Sequence, residues 1–179
     1  MISAFDTVLL QLLFSWRDPT AVQILIFITA LGSTATIASL TLLIAIILAY
    51  RHRFAELIGL LISVGGTGAA VFLLKDLVAR ARPEALYQAY QESGFSFPSG
   101  HAAFSLALYG FCIYLLWREI PMHKWAGSGI AILNALILAI GFSRSYLGVH
   151  YVSDVIGGYV IGLIFLWVAA KVIKRLSRR

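Results

Sequence analysis

Charged residues are scarce in this sequence, and cysteine is almost absent. Of its 179 residues only 12% are charged while 60% are hydrophobic, a balance too apolar for an ordinary soluble domain of this size. Cys112 is the only cysteine, so the chain cannot form an internal disulfide. The first residues have neither a basic n-region nor a small-residue cleavage site, and we therefore expect no removable secretory signal. The scarcity of charge and the excess of apolar residues point to the bilayer.

Long apolar stretches dominate what is present. A helix that crosses a bilayer needs about 20 mostly apolar residues, and five stretches meet this requirement: residues 21–49, 55–74, 99–117, 125–142 and 154–172. The first is long enough to tilt, or to bend near Gly32 and Ser33. Residues 2–16 are too short to cross comfortably, and Asp18-Pro19 would end a helix there, so we predict an interfacial helix.

The predicted fold is therefore all-α. It is a polytopic membrane bundle with about five spanning helices and a short N-terminal interfacial helix. Because no linker rich in Pro, Ser or Gly interrupts the chain, we expect a single integral membrane domain over residues 1–179. Gly158 and Gly162 are spaced to let helices approach closely, which favours packing within the bundle over dimerisation; the oligomeric state stays open.

The basic residues predict how the bundle is oriented. The net charge of +6 could suggest nucleic acid, but these residues lie at the ends of apolar runs, so we expect no nucleic-acid partner. Short cytoplasmic loops are enriched in Lys and Arg. If five helices alternate, one end, which should be cytoplasmic, collects Arg51, Arg53, Arg118, Lys124, Lys171, Lys174, Arg175, Arg178 and Arg179. The outer end breaks the rule, which suggests anion binding, because it carries Lys75, Arg80, Arg82 and Arg144.

Three segments at the outer end carry candidate chemistry. The first, KDLVARARP, runs from Lys75 to Pro83. On a helix Lys75 and Arg82 would lie nearly two turns apart on one face and could reach one anion from different heights. Taken alone, this segment is better explained as a stop signal at a membrane boundary.

The second segment, FPSGH, opens the third apolar run. Pro98 is acceptable in the first turn of a helix, Ser99 can cap it or donate its hydroxyl, and Gly100 allows a close backbone approach. Free amides at a helix start suit phosphate. His101 would then be placed to donate a proton. A capped helix with an incidental interfacial histidine is the alternative.

The third segment, SRSYLGVHYVSD, runs from Ser143 to Asp154. Arg144 offers a planar fork of donors that matches phosphate oxygens. If the stretch is helical, His150 and Asp154 share a face. The carboxylate could then accept a proton from one imidazole nitrogen while the other nitrogen attacks, as in a catalytic triad with histidine as nucleophile. An interfacial histidine satisfied by a nearby acid is the alternative for this pair alone.

In order and in internal spacing, the three segments resemble the signature motifs of the type 2 phosphatidic acid phosphatase superfamily. The resemblance covers most of the chain from residue 55 onward. It implies that His150 is the nucleophile, Asp154 its partner and His101 the general acid. It also implies a phosphate-binding set that consists of Lys75, Arg82, Ser99, Gly100 and Arg144. Many bacterial membrane members have six spanning helices, and here the first is missing or reduced to residues 2–16.

This resemblance implies a lipid phosphate phosphatase that forms a phosphohistidine. The expected substrates are undecaprenyl pyrophosphate, phosphatidylglycerophosphate or phosphatidic acid, and a site facing outward slightly favours the polyprenyl carrier. No cofactor or metal is expected, since three nearby cations oppose a metal ion. A lipid phosphotransferase with the same site and, in another class, an anion transporter or channel are the alternatives. A soluble haloperoxidase with related motifs conflicts with the five apolar spans.

Aromatic residues near the site have two possible roles. Tyr87 and Tyr90, with Gln91, are candidates to shape a headgroup entrance. Others are more often anchors in the aromatic belt of a membrane protein than substrate contacts: Phe95, Phe97, Trp125, Tyr146 and Tyr151.

Overall fold

Helices account for almost all of the regular structure in this computed structural model, which describes residues 4–119 and 124–177. A short N-terminal helix, α1, covers Ala4–Ser15. The helices that follow are α2 (Pro19–Ala30), α3 (Thr34–Tyr50), α4 (Phe54–Leu60), α5 (Thr67–Val78), α6 (Gly100–Glu119), α7 (Lys124–Tyr146) and α8 (Val152–Leu176). Within the described ranges there is no β-strand, as the all-α prediction requires.

In the part of the chain that the structure describes, five helical stretches are long and apolar enough to cross a membrane: Pro19–Tyr50, Phe54–Val78, Gly100–Arg118, Gly127–Tyr146 and Val152–Leu176. They correspond in number and order to the five predicted spans, and the protein is an integral membrane protein. The predicted N-terminal helix is also present, as α1. Residues 2 and 3 of that segment lie outside the described residues, as do Arg178 and Arg179.

The first span is interrupted where a bend was predicted. Helix α2 ends at Ala30, and α3 begins at Thr34 after a turn. The Ser33 hydroxyl caps α3 by accepting a hydrogen bond from the Thr36 amide at 3.3 Å. Asp18 caps α2 in the same way, accepting from the Ala21 amide at 2.9 Å, with Pro19 at the first helical position. The local sequence thus sets both the start and the interruption of this span.

The second span continues past residue 74, where the predicted apolar stretch ends, but it stops before Arg82. Helices α4 and α5 are joined by a π-helical segment, Leu61–Gly66, and α5 stops at Val78 because Ala79 adopts a left-handed conformation with φ 46°. Arg82 therefore lies beyond the helix, in the loop that leads to α6. The prediction that Lys75 and Arg82 share one helical face is wrong, because the chain leaves the helix between them.

Helix α6 is the centre of the bundle and packs against α8, α7, α3 and α5. Two glycines of α8 bring its backbone close to that of α6. A Cβ atom at Gly158 would lie 2.5 Å from the Ser99 carbonyl oxygen, and one at Gly162 would lie 2.7 Å from that of Ala103. The prediction that these glycines serve packing within the bundle is confirmed. The close approach brings the first turn of α8 next to the first turn of α6.

The two ends of the bundle differ in their charged contacts. At one end the turn between α3 and α4 meets the last turns of α6 and α8. There Glu56 pairs with Arg53 at 3.1 Å and with Arg118 at 3.3 Å, and Arg118 also donates to Ser177 at 3.1 Å. The three predicted motifs lie at the opposite end.

Candidate functional site

A cavity of about 250 Å³ lies at the end of the bundle where the three motifs meet. Five of the eight predicted site residues line it: Lys75, Arg82, Gly100, His101 and His150. The other three, Ser99, Arg144 and Asp154, are completely buried beside it. The structure thus brings together residues from three separate segments, as the sequence predicts.

His150 lies in the turn between α7 and α8, not on a helix. Helix α8 begins only at Val152, so the predicted shared helical face of His150 and Asp154 is wrong. A capping interaction brings the pair together instead: the Asp154 carboxylate accepts a hydrogen bond from the Tyr151 amide at 2.9 Å. This places Asp154 Oδ2 at 3.6 Å from His150 Nδ1, an ion-pair distance that is slightly too long for a hydrogen bond.

Both oxygens of the Asp154 carboxylate are held by other side chains. Ser96 donates to Oδ2 at 2.5 Å, and its hydroxyl also lies 3.4 Å from His150 Nδ1. Arg80 donates to Oδ1 at 2.6 Å. The carboxylate is therefore fixed in orientation beside the imidazole. Neither Ser96 nor Arg80 was predicted as a site residue.

The second nitrogen of His150 faces Arg82. Its Nε2 atom lies 3.2 Å from Arg82 Nη1, which also donates to the Val149 carbonyl oxygen at 2.8 Å. Burial lowers the pKa of His150 to about 4; Asp154 opposes this shift, while the nearby guanidinium groups of Arg144 and Arg82 add to it. At neutral pH the imidazole is therefore uncharged, and one ring nitrogen carries a lone pair.

Arg144 reaches the same region from the last turns of α7. It donates to Thr29 at 3.1 Å and to the Tyr90 hydroxyl at 2.5 Å. It also forms an ion pair with Glu92, whose other carboxylate oxygen lies 3.4 Å from Arg82. A single carboxylate of the loop between α5 and α6 thus bridges two of the predicted phosphate-binding arginines.

Glu92 lines the cavity and carries a charge there. Burial alone would raise its pKa, but Arg144 and Arg82 outweigh burial and hold the pKa of Glu92 below its usual value. Glu92 was not predicted as a site residue. The available signal was an acid in the loop that also carries Arg80 and Arg82, but nothing in the local sequence specifies which cations it meets.

The first turn of α6 differs in detail from the prediction. Helix α6 begins at Gly100, so Pro98 precedes the helix and does not lie in its first turn. The Ser99 amide donates to the Asp154 carbonyl oxygen at 3.0 Å. Its hydroxyl is buried and accepts or donates no hydrogen bond within the described chain, so it does not cap the helix. Arg144 Nε is likewise buried without a partner among the described residues.

Two aromatic residues that were interpreted as membrane anchors, Tyr146 and Tyr151, make contacts inside the protein instead. The Tyr146 hydroxyl accepts from the Asp18 amide at 2.9 Å and donates to the Trp16 carbonyl oxygen at 3.1 Å. The Tyr151 ring lies under the Arg80 guanidinium, 4.5 Å from its carbon. Both tyrosines are buried, so the interpretation as belt residues is wrong for them. The side chain of Trp125 lies outside what the structure describes.

The cavity wall suits an anion. Lys75 and Arg82 face it, and Lys75 donates to the Phe95 carbonyl oxygen at 2.5 Å. Across residues 4–119 and 124–177, no three His, Cys, Asp or Glu side chains are grouped so that they could hold a metal ion. A phosphate group would meet cationic donors and histidines together.

Comparison with known proteins identifies relatives over most of the chain. The family model described as "PAP2 superfamily" matches residues 56–178. Phosphatidylglycerophosphatase B of Bacillus subtilis (strain 168) is 32% identical over 165 residues, which cover 90% of this chain and 80% of that protein.

Two crystal structures have the same fold. One is described as the first transmembrane PAP2 type phosphatidylglycerolphosphate phosphatase from Bacillus subtilis. It superimposes with a TM-score of 0.84 at 29% identity, over 95% of this chain and 85% of that one. The other, Aquifex aeolicus LpxE, gives a TM-score of 0.76 at 25% identity, over 94% of this chain and 96% of that one.

Replacing Glu92 with glutamine is expected to strengthen the binding of an oxyanion in the cavity. The substitution removes the negative charge that Arg82 and Arg144 now share, and it leaves both guanidinium groups in place. We expect orthovanadate, a phosphate analogue, to bind about fivefold more tightly, which corresponds to about 1 kcal/mol. Titration calorimetry on the detergent-solubilised protein measures this change.

Glu84→Gln is the matched control for Glu92→Gln. It removes the same charge from the same loop but away from the cavity lining. Its vanadate affinity should stay within about twofold of the parent protein. Equal or weaker binding in Glu92→Gln would show that Glu92 organises the arginines more than it competes for them.

Proposed function

The chain belongs to the PAP2 superfamily, and on that premise we propose that it releases phosphate from a membrane lipid through a phosphohistidine at His150. Enzymes of this family hydrolyse phosphoric esters, and so does this one. The observation that carries the proposal is the position of His150. A buried, uncharged imidazole lies between the Asp154 carboxylate and Arg82, in the wall of a cationic cavity.

The substrate phosphate would bind where Glu92 now bridges the arginines. Lys75, Arg82 and Arg144 neutralise its oxygens, and their positive charges are already in place before the reaction begins. The Ser99 hydroxyl and the Gly100 amide at the start of α6 complete the set of donors. Glu92 must yield its place on one or both arginines to the incoming phosphate.

In the first step His150 Nε2 attacks the phosphorus atom in line with the bond to the lipid. The P–N bond forms while the P–O bond breaks, and the bonding electrons of the latter stay on the leaving oxygen. His101 delivers its proton to that oxygen, so the lipid leaves as an alcohol, or as a monophosphate if the substrate is a pyrophosphate. Asp154 stabilises the positive charge that develops on the imidazole.

In the second step water resolves the intermediate. Its oxygen attacks phosphorus, the P–N bond breaks, and the electron pair returns to His150 Nε2. His101 takes the proton released by the attacking water and is thereby restored to its protonated form. Inorganic phosphate leaves the cavity, and the enzyme is ready for another lipid.

The name of the Bacillus subtilis relative favours phosphatidylglycerophosphate as the substrate. The related Bacillus subtilis protein, which the chain matches over most of both lengths, is named as a phosphatidylglycerophosphatase. The argument for undecaprenyl pyrophosphate is the expected outward-facing site. Because shared sequence over 90% of the chain is the more specific argument, we propose phosphatidylglycerophosphate as the principal substrate.

We also propose that the site faces the outside of the cell membrane and that the C-terminus is cytoplasmic. Four basic residues lie toward the end of the bundle opposite the cavity: Arg53, Arg118, Lys171 and Lys174. Enrichment of basic residues in cytoplasmic loops supports a cytoplasmic position for that end.

Single cysteines test this orientation, because Cys112 is the only native one. In a Cys112→Ser background, a membrane-impermeant maleimide added to intact cells should label Gln91→Cys in the outer loop. It should label Arg175→Cys only after the cells are broken. The opposite pattern would place the cavity on the cytoplasmic side.

Phosphate release tests the catalytic assignment. The parent protein should release phosphate from phosphatidylglycerophosphate faster than from phosphatidic acid or undecaprenyl pyrophosphate, and should do so in the presence of a chelator. His150→Ala should lower kcat at least about a thousandfold, and His101→Ala about a hundredfold or more. A colorimetric phosphate assay in mixed micelles measures all three substrates.

The matched control is His52→Ala, which alters a histidine in the turn between α3 and α4, far from the three motifs. It should retain the full rate. Full activity in His150→Ala would disprove the nucleophile assignment. Activity that vanished with chelator and returned with a divalent metal would disprove the metal-free reaction.

A further inference from the structure

The N-terminal helix carries a buried acid that reaches the site. Asp6 of α1 is only 1% exposed, although α1 is otherwise an apolar helix at the edge of the bundle. Its Oδ1 accepts a hydrogen bond from the Ser153 amide at 3.0 Å, and its Oδ2 accepts from the Ser153 hydroxyl at 2.7 Å. The same Oδ2 accepts from Arg80 Nη2 at 2.7 Å. A residue near the start of the chain is thus bonded to the first turn of α8.

Arg80 connects Asp6 to the partner of the proposed nucleophile. One of its terminal nitrogens, Nη2, binds Asp6, and the other, Nη1, binds Asp154 Oδ1 at 2.6 Å. Nη1 also donates to the Ser153 hydroxyl at 2.7 Å. One guanidinium group therefore lies between two carboxylates and is shared by them.

Asp6 is charged in this arrangement. Burial alone would raise its pKa, but hydrogen bonds from Ser153 and Arg80 outweigh burial and lower the pKa of Asp6 to about 2. The negative charge of Asp6 offsets part of the positive charge of Arg80. Asp154 can then keep more of its own charge for the imidazole beside it.

We propose that Asp6 is a positioning residue for phosphoryl transfer, acting through Arg80 and Ser153 on the Asp154 carboxylate. The inference rests on the proposed function, in which Asp154 stabilises the positive charge that His150 gains when it attacks. Without Asp6, Asp154 would be the only carboxylate bonded to Arg80 among the described residues. The guanidinium group of Arg80 would then pull Asp154 Oδ1 toward itself. This would move the carboxylate away from His150 Nδ1, which already lies 3.6 Å from Oδ2.

Anchoring of α1 is a separate role, and other residues also perform it. Leu10 on the same helix is buried with 6% exposure. Just after α1, Arg17 donates to the carbonyl oxygens of Tyr87 at 2.8 Å and Tyr146 at 2.7 Å. Leu10→Ala therefore provides a matched control that loosens the packing of α1 and leaves the Asp6–Arg80–Asp154 contacts unaltered.

The test compares Asp6→Asn with Leu10→Ala in phosphate release and in vanadate binding. Asp6→Asn should lower kcat about tenfold, the loss expected for one charge-assisted hydrogen bond. Its KM and its vanadate affinity should stay within about twofold of the parent protein, because the phosphate-binding cations do not contact Asp6. Leu10→Ala should lower the thermal unfolding temperature while kcat stays within about twofold.

A second readout does not depend on activity. The chain has four histidines, and ¹⁵N labelling of histidine makes their ring nitrogens visible by NMR. The signals of His150 are those that disappear in His150→Gln. The ring signals of His150 should shift in Asp6→Asn and stay in place in Leu10→Ala. If the parent protein releases no phosphate from any lipid, the proposed function fails, while the ring signals still report whether Asp6 acts on His150.

Two results would overturn the inference. One is a parent-like kcat together with parent-like His150 signals in Asp6→Asn. The other is an equal loss of kcat in Leu10→Ala, which would reduce Asp6 to an anchor of α1. If Asp6→Asn does not fold, Ser153→Ala carries the test, because it removes the hydroxyl that contacts both Asp6 and Arg80. It should lower kcat at least threefold with an unchanged KM.

Discussion

The Asp154 carboxylate is the group on which the arrangement of this site depends. It is completely buried, and a buried carboxylate stays charged only where hydrogen bonds and opposite charges compensate for the loss of water. Three groups provide that compensation: the Ser96 hydroxyl, the Arg80 guanidinium and the Tyr151 amide. Ser96 and Arg80 lie in the loop between α5 and α6, and Tyr151 immediately precedes α8. By holding Asp154 they also keep its Oδ2 atom 3.6 Å from His150 Nδ1.

The same need for compensation explains the other charges at this end of the bundle. A membrane protein rarely leaves a cation unpaired in its interior. Arg80 is shared by Asp6 and Asp154, while Arg82 and Arg144 share Glu92. Substrate would affect these two sets of ion pairs differently. Its phosphate would compete with Glu92 for Arg82 and Arg144. Asp6 and Arg80 lie outside the cavity lining and would stay paired through the reaction.

Much of this could be predicted from the sequence because it depends on local composition. Apolar run length gave the five spans, and Ser33 marked the interruption of the first. The pairing of His150 with Asp154 was predicted, but on a helical face; a helix cap produces it instead, since periodicity alone cannot tell where α8 begins. Asp6 and Glu92 were missed because their partners are distant in sequence, and such pairing follows only from the packing of the helices.

Direct detection of a phosphorylated His150 tests the central claim. Enzyme mixed with phosphatidylglycerophosphate is quenched in alkali within milliseconds, since phosphohistidine survives alkali and is lost in acid, and its peptides are analysed by mass spectrometry. The account predicts one modified residue, His150, in the parent protein and in Glu84→Gln, and none in His150→Gln. A phosphoryl group on any other residue, or phosphate release that continues in His150→Gln, would contradict it.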